Sequence, residues 1–216
     1  RMLLVLIILI PFWRFKLPEK KFYKPLIIFS ISMGVLVYVF MNLSLYYSSI
    51  ISPIILGSQL AIPFGILASA ILLQENISKN KWFLIFTSFI GILIIFFDPK
   101  LNENYLGLFF ASLMALFFGL AQVYSRQLKE LPTSMINAST GVFGFFILLI
   151  VSIFIEGNVY HNINQITFSS WVLIFYQAII VSLCAHLLMF YLYKFYTVGQ
   201  IFPFYSLFPI FGIILS

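Results

Sequence analysis

The sequence predicts an all-α polytopic membrane protein, and three observations carry that expectation. Of its 216 residues 62% are apolar and 8% are charged, against roughly 45–50% and 25% in an ordinary soluble domain. The mean hydropathy is +1.10. The apolar residues lie in continuous runs separated by short polar breaks, whereas the strands of a membrane barrel alternate over about 10 residues. A soluble fold of this size has no polar coat large enough to hide 27 Phe and 12 Tyr. Intrinsic disorder is excluded because so apolar a chain collapses in water. A disulfide scaffold is excluded by the single cysteine, Cys184. The net charge of +6 comes from twelve basic residues scattered between hydrophobic runs, so it forms no compact patch for nucleic acid.

Crossing about 30 Å of hydrocarbon takes roughly 17–25 apolar residues in a helix. Taken in order, the runs are Met2 to Trp13, Pro25 to Leu45, Ile50 to Leu73, Trp82 to Phe97, Tyr105 to Tyr124, Met135 to Ile155, Trp171 to Tyr193 and Gln200 to Ser216. These are eight expected spans. The first is short and the chain opens on Arg1, while the last is still apolar at Ser216, so the sequence reads as a fragment lacking material at both ends. A cleaved signal peptide is the other reading of the first run, but no basic segment precedes it and no small-residue cleavage site follows. The breaks hold Pro18-Glu19-Lys20, Gln74 to Lys81, Asp98 to Asn104, Arg126 to Pro132 and Glu156 to Thr167. Ser78 is suited to cap the helix that begins near Trp82.

If the chain crosses at every run, ten basic residues fall on one side (Arg14, Lys16, Lys20, Lys21, Lys24, Lys79, Lys81, Arg126, Lys129 and Lys194) and two, Arg1 and Lys100, on the other. Basic residues in short loops mark the cytoplasmic face. The loops bearing Lys20, Lys81, Arg126 and Lys194 are therefore expected in the cytoplasm, and the protein in the cell (inner) membrane.

No Asp, Glu, Lys or Arg stands in the middle of a full span, which speaks against a carboxylate proton relay. The polar residues at depth are Asn42, Ser44, Ser58, Gln59, Gln122, Gln177, Ser182 and His186. His186 alone among them changes charge near neutral pH; a neutral ring bonded within the bundle is its alternative role. On a straight helix Gln177 falls opposite His186, so both face one cavity only if the helix is unwound. Small residues at four-residue spacing, Gly57-Ala61-Gly65-Ser69 and Ala111-Ala115-Gly119, read as structural faces for close helix packing. Pro63 and Pro209 fall inside spans and are expected to kink them.

Two segments share a plan. Leu45 to Glu75 and Tyr193 to Ser216 each have an aromatic pair (Tyr46-Tyr47; Phe195-Tyr196), a polar turn, a polar residue (Gln59; Tyr205) and a proline four residues later (Pro63; Pro209). The charge rule puts the first turn outside and the second inside, so the copies are inverted, as in secondary transporters. With Leu72-Leu73-Gln74-Glu75, Ile77-Ser78, Lys81-Trp82 and Gly91-Ile92-Leu93-Ile94 following, and Gly107 and Tyr124-Ser125-Arg126 further on, the sequence resembles the drug/metabolite transporter superfamily, specifically its EamA-type permeases. The resemblance implies ten helices in two inverted five-helix repeats, of which residues 1–99 hold helices two to five and residues 100–216 hold helices six to nine. It further implies a central cavity lined by the third, fourth, eighth and ninth helices, onto which Tyr38, Asn42, Gln59, His186 and Tyr205 map as substrate-binding residues. The sequence departs from the family pattern at Phe118, where many members carry tryptophan, and in lacking an acidic residue before the kink proline.

The function expected on these grounds is a secondary-active or facilitative permease moving a small metabolite by alternating access. The family moves amino acids, nucleosides, vitamins, S-adenosylmethionine and other metabolites. Aromatic walls with a few amides suit a neutral or zwitterionic solute. No Walker-type loop, catalytic residue, metal set or cofactor motif is found in the sequence, and His161 and His186 are isolated. An integral-membrane lipid-modifying enzyme and a non-transporting structural protein are the competing readings. The expected partners are the small-molecule substrate and the lipid bilayer, without nucleic acid.

Overall fold

The computed structural model describes residues 1–9, 18–97, 104–156 and 167–207, and every regular element in them is helical. In chain order these are α1 (Met2–Leu9), α2 (Lys20–Tyr46), α3 (Ile51–Ser58), α4 (Ala61–Leu72), α5 (Lys79–Phe96), α6 (Tyr105–Gln127), α7 (Thr133–Glu156), α8 (Phe168–Leu192) and α9 (Val198–Ile201), which continues as a 3₁₀ turn over Phe202–Leu207. Helices satisfy every backbone N–H and C=O within the segment, which lipid requires because it offers no hydrogen bonds.

Five helices among the described residues are long and apolar enough to cross a membrane: α2, the α3–α4 unit over Ile54–Leu72, α6, α7 and α8. Helix α5 adds 18 residues, about 27 Å of rise, and begins directly after Ser78 rather than at Trp82. Six of the eight expected runs thus coincide with helices. The first run is described through Leu9 and the last through Leu207. Pro209 lies outside the described residues, as do His161, Arg14, Lys16, Asp98, Lys100 and Glu103.

Helix α6 is the axis of the bundle, packed by α2, α3 and α4. Its small residues explain how close they come. A Cβ on Gly119 would stand 2.7 Å from Gly65 N and 2.8 Å from Ala61 O, and one on Gly57 would stand 2.8 Å from Leu108 Cδ1 and 3.1 Å from Ala111 Cβ. The small-residue faces of α3–α4 and α6 therefore meet each other, as their spacing indicated. A second crossing joins α2 to α7, where a Cβ on Gly34 would meet Thr140 O at 2.8 Å and one on Gly144 would meet Gly34 O at 2.8 Å. Close approach is favourable here because apolar side chains gain nothing by leaving lipid for one another, so van der Waals contact between backbones supplies the attraction.

The expected kink at Pro63 is present. The ring has no N–H to offer Gln59 O four residues back, and that carbonyl accepts from Ile62 N at 3.2 Å instead. The helix breaks at Gln59 and Leu60, separating α3 from α4.

After α4 the chain reverses through Gln74, which sits at φ 53°, the left-handed position that glycine usually fills after a helix. Holding a side chain there costs about 1 kcal/mol. Gln74→Gly is expected to raise the melting temperature by a few degrees, and Gln74→Val to lower it, in a thermal unfolding scan of the protein in detergent; equal midpoints would show that the turn is unstrained.

Polar contacts gather the helix ends. Lys21 Nζ lies 3.2 Å from Glu130 Oε2, the Arg126 guanidinium donates to Tyr193 O, and Lys81 Nζ donates to Gly199 O at 2.9 Å. The segments carrying Lys20, Lys81, Arg126 and Lys194 thereby come together at one end of the bundle. At the other end Ser49 N donates to Asn104 Oδ1 at 2.8 Å, joining the α2–α3 turn to the start of α6. Around the outside, Phe83, Ile94, Ile71, Phe154 and Phe168 are each two-thirds or more exposed, a surface suited to acyl chains and not to water.

Candidate functional site

Two of the long helices are not α-helical throughout. Residues Ser32–Leu36 of α2 and Gln177–Ala185 of α8 are π-helical, a rare conformation that is frequent at functional sites. In α8 the widened stretch spans Gln177 to Ala185, yet Gln177 and His186 line different cavities, the first exposed and the second buried. Ser182 Oγ donates to Gln177 O, five residues back, at 3.1 Å. Asn137, on α7, holds the widened turn by donating from Nδ2 to Ser182 O at 2.6 Å. Thr140 Oγ1 in turn donates to Asn137 O at 2.7 Å.

Arg1 lies against this turn. Its Nε donates to Ser182 Oγ at 2.9 Å, and its Cζ stands 4.6 Å from the centroid of the Tyr38 ring, within cation–π range. The topology read from loop charges placed Arg1 on the same side as Lys100; in the structure its side chain reaches between α2 and α8. The reason is packing: α1 lies along α7 and the π segment of α8, and this carries the start of the helix into the bundle.

Arg1, Met2 and Tyr38 border two spaces. On one side is a cavity of about 460 Å³, lined among others by Asn42, Phe145, Leu148, Ser152 and Gln177, within the usual size of ligand sites. On the other is a space of about 10 Å³ bounded by Met33, Asn137, Thr140, Ser182 and His186, room for about one water. His186 is 9% exposed and its ring stacks on Phe190 with centroids 6.0 Å apart.

The structure thus brings together three of the residues singled out from the sequence: Tyr38 faces both spaces, Asn42 the larger and His186 the smaller. It does not bring in the other two. Gln59 opens onto a separate, mostly apolar cleft of about 660 Å³ with Pro63, Leu84 and Ser206, because the break after Ser58 turns it toward α5. Tyr205 is half-buried against the core, its hydroxyl donating to Met189 Sδ at 3.1 Å and its ring against Phe118 and Phe202. Arg1, Asn137 and Thr140 were missed. The pair Asn137 and Thr140, three residues apart at the start of an apolar run, is the signal that points to one polar helix face. Among the described residues no group of three His, Cys, Asp or Glu side chains is placed to hold a metal.

The model of the EamA-like transporter family matches residues 105–216, just over half of the chain. The chain belongs to the EamA-like transporter family. No curated protein and no solved structure matches it. In this EamA-like protein the matched segment supplies Asn137, Gln177, Ser182 and His186, whereas Arg1, Tyr38 and Asn42 come from the part before it. The cavity of about 460 Å³ therefore lies between the segment that carries the family match and the helices that precede it.

Proposed function

We propose that the protein is a permease that moves a small metabolite across the cytoplasmic membrane by alternating access, driven by a solute or ion gradient or working as a facilitator, and that it is not an enzyme. The observation that carries this reading is the cavity of about 460 Å³ between α1, α2, α7 and α8, whose polar groups are held by helices and whose floor is formed by Arg1, Met2 and Tyr38.

The orientation we assign puts the segments bearing Lys20, Lys81, Arg126 and Lys194 in the cytoplasm, following the excess of basic residues at that end. Asn42, Ser152 and Gln177 lie toward the opposite helix ends, so the cavity occupies the outward half, and the space at His186 is the closed continuation of the path. A solute entering from outside meets aromatic and aliphatic walls and hydrogen-bonding groups at the floor.

Uptake into proteoliposomes, screened across amino acids, nucleosides, vitamins and organic acids, tests the reading. At least one class is expected to enter faster than into protein-free vesicles, with a saturating rate that Asn42→Ala lowers about tenfold and Ser69→Ala leaves unchanged. Ser69 bonds only within its own helix, to Ile66 O at 2.9 Å. No solute moving above the protein-free leak would overturn the proposal.

A further inference from the structure

We infer that the cavity recognises a solute carrying a single carboxylate, bound by the Arg1 guanidinium at its floor. The inference deepens the permease reading and rests on it. Arg1 lines both the large cavity and the small space beyond it, and among the described residues no carboxylate lies within ion-pair distance of it. A guanidinium has five N–H donors in a fixed fork. Ser182 Oγ occupies Nε and the Tyr38 ring lies against the plane, neither of which neutralises the charge. An unneutralised charge between membrane helices is costly, and such residues mark substrate paths. The fork geometry matches a carboxylate with two parallel hydrogen bonds.

The lining narrows the class further. The ammonium of a zwitterion finds no acidic side chain in the lining, which is composed of apolar, aromatic, amide and hydroxyl groups apart from Arg1. Beyond the floor, Met41, Phe145, Leu148 and Leu149 form an apolar wall, so the rest of the solute is largely hydrocarbon or aromatic. The solute inferred is thus an amphipathic monocarboxylate, which differs from the neutral or zwitterionic cargo expected from the sequence.

The test uses the full chain in detergent, with binding followed by thermal shift and calorimetric titration. Hexanoate and phenylacetate are compared with hexanamide and phenylacetamide, which keep the shape and lose the charge, and with inorganic phosphate. The acids are expected to stabilise the protein and to bind about tenfold or more tightly than the amides or phosphate. Arg1→Gln is expected to remove that preference and Arg1→Lys to restore part of it. Equal binding of acid and amide, a preference for phosphate, or undiminished acid affinity in Arg1→Gln would overturn the inference. The acid–amide comparison is made on the unaltered protein, so it stands even if a variant does not fold. The two readings fail separately. Acid binding that needs Arg1, with no uptake of any solute, upholds the anion site and overturns the permease. Saturable uptake of a neutral solute that ignores Arg1→Gln upholds the permease and overturns the anion site.

Discussion

Gly119→Val is expected to disrupt the bundle at its axis. A Cβ at this position meets Gly65 N at 2.7 Å and Ala61 O at 2.8 Å, and both are backbone atoms in a helix that cannot turn aside as a flexible side chain does. Relief requires α4 to move away from α6, which loses the contacts along the whole crossing. Overpacking of this kind costs about 3 kcal/mol, and in a chain of this size that lowers the melting temperature by roughly 6–12 °C. The measurement is the unfolding midpoint in detergent together with the fraction recovered as a monodisperse peak. Gly91→Ala is the matched control, since a Cβ there meets nothing within 4 Å. If the two variants unfold alike, the α4–α6 crossing is not what holds the bundle together.

The second large effect is expected on function rather than on stability. Asn137→Leu keeps the side-chain size but withdraws the donor from Ser182 O, a bond of 2.6 Å between α7 and the π-helical part of α8. Interhelical hydrogen bonds in membranes contribute about 0.6 kcal/mol and at most about 1.7 kcal/mol, so the melting temperature should fall by only a few degrees. The widened turn, however, also positions Ser182 Oγ against Arg1 Nε. Without Asn137 the segment is free to return to α-helical bonding, which rotates Ser182 and Gln177 relative to His186. Binding of hexanoate, and uptake of whichever solute the screen identifies, should drop by about tenfold or more. Uptake and binding at wild-type levels with the same small thermal shift would show that Asn137 only packs.

Much of the architecture was legible because lipid constrains sequence so tightly. Six of the apolar runs became helices within a few residues of where hydropathy put them, since a segment surrounded by hydrocarbon has no other way to satisfy its backbone. The stripes Gly57-Ala61-Gly65 and Ala111-Ala115-Gly119 announced a close crossing for the same reason, as small residues are the means by which membrane helices attract. Pro63 announced its kink through the missing N–H. The site was less legible. Tyr38, Asn42 and His186 converge, but Gln59 and Tyr205 were grouped with them through the family resemblance, which does not say how each helix of this chain is rotated. Arg1 was counted from the sequence only as a charge on one side of the membrane, because no local rule says where the start of α1 lies against the other helices.

What the sequence by itself determined is the solvent, the helices and the family. These follow from local rules: hydropathy summed over a turn or a span, and hydrogen bonds within one segment. What only the tertiary structure decided is the phase of each helix against its neighbours. The π-helical stretch at Gln177–Ala185 exists in company with Asn137 of another helix, and the seat of Arg1 depends on where α1 lies along α7. Rotating a helix by a fraction of a turn leaves its composition, length and hydropathy unchanged, yet it decides which side chains enter the cavity and whether a charge waits there for a partner.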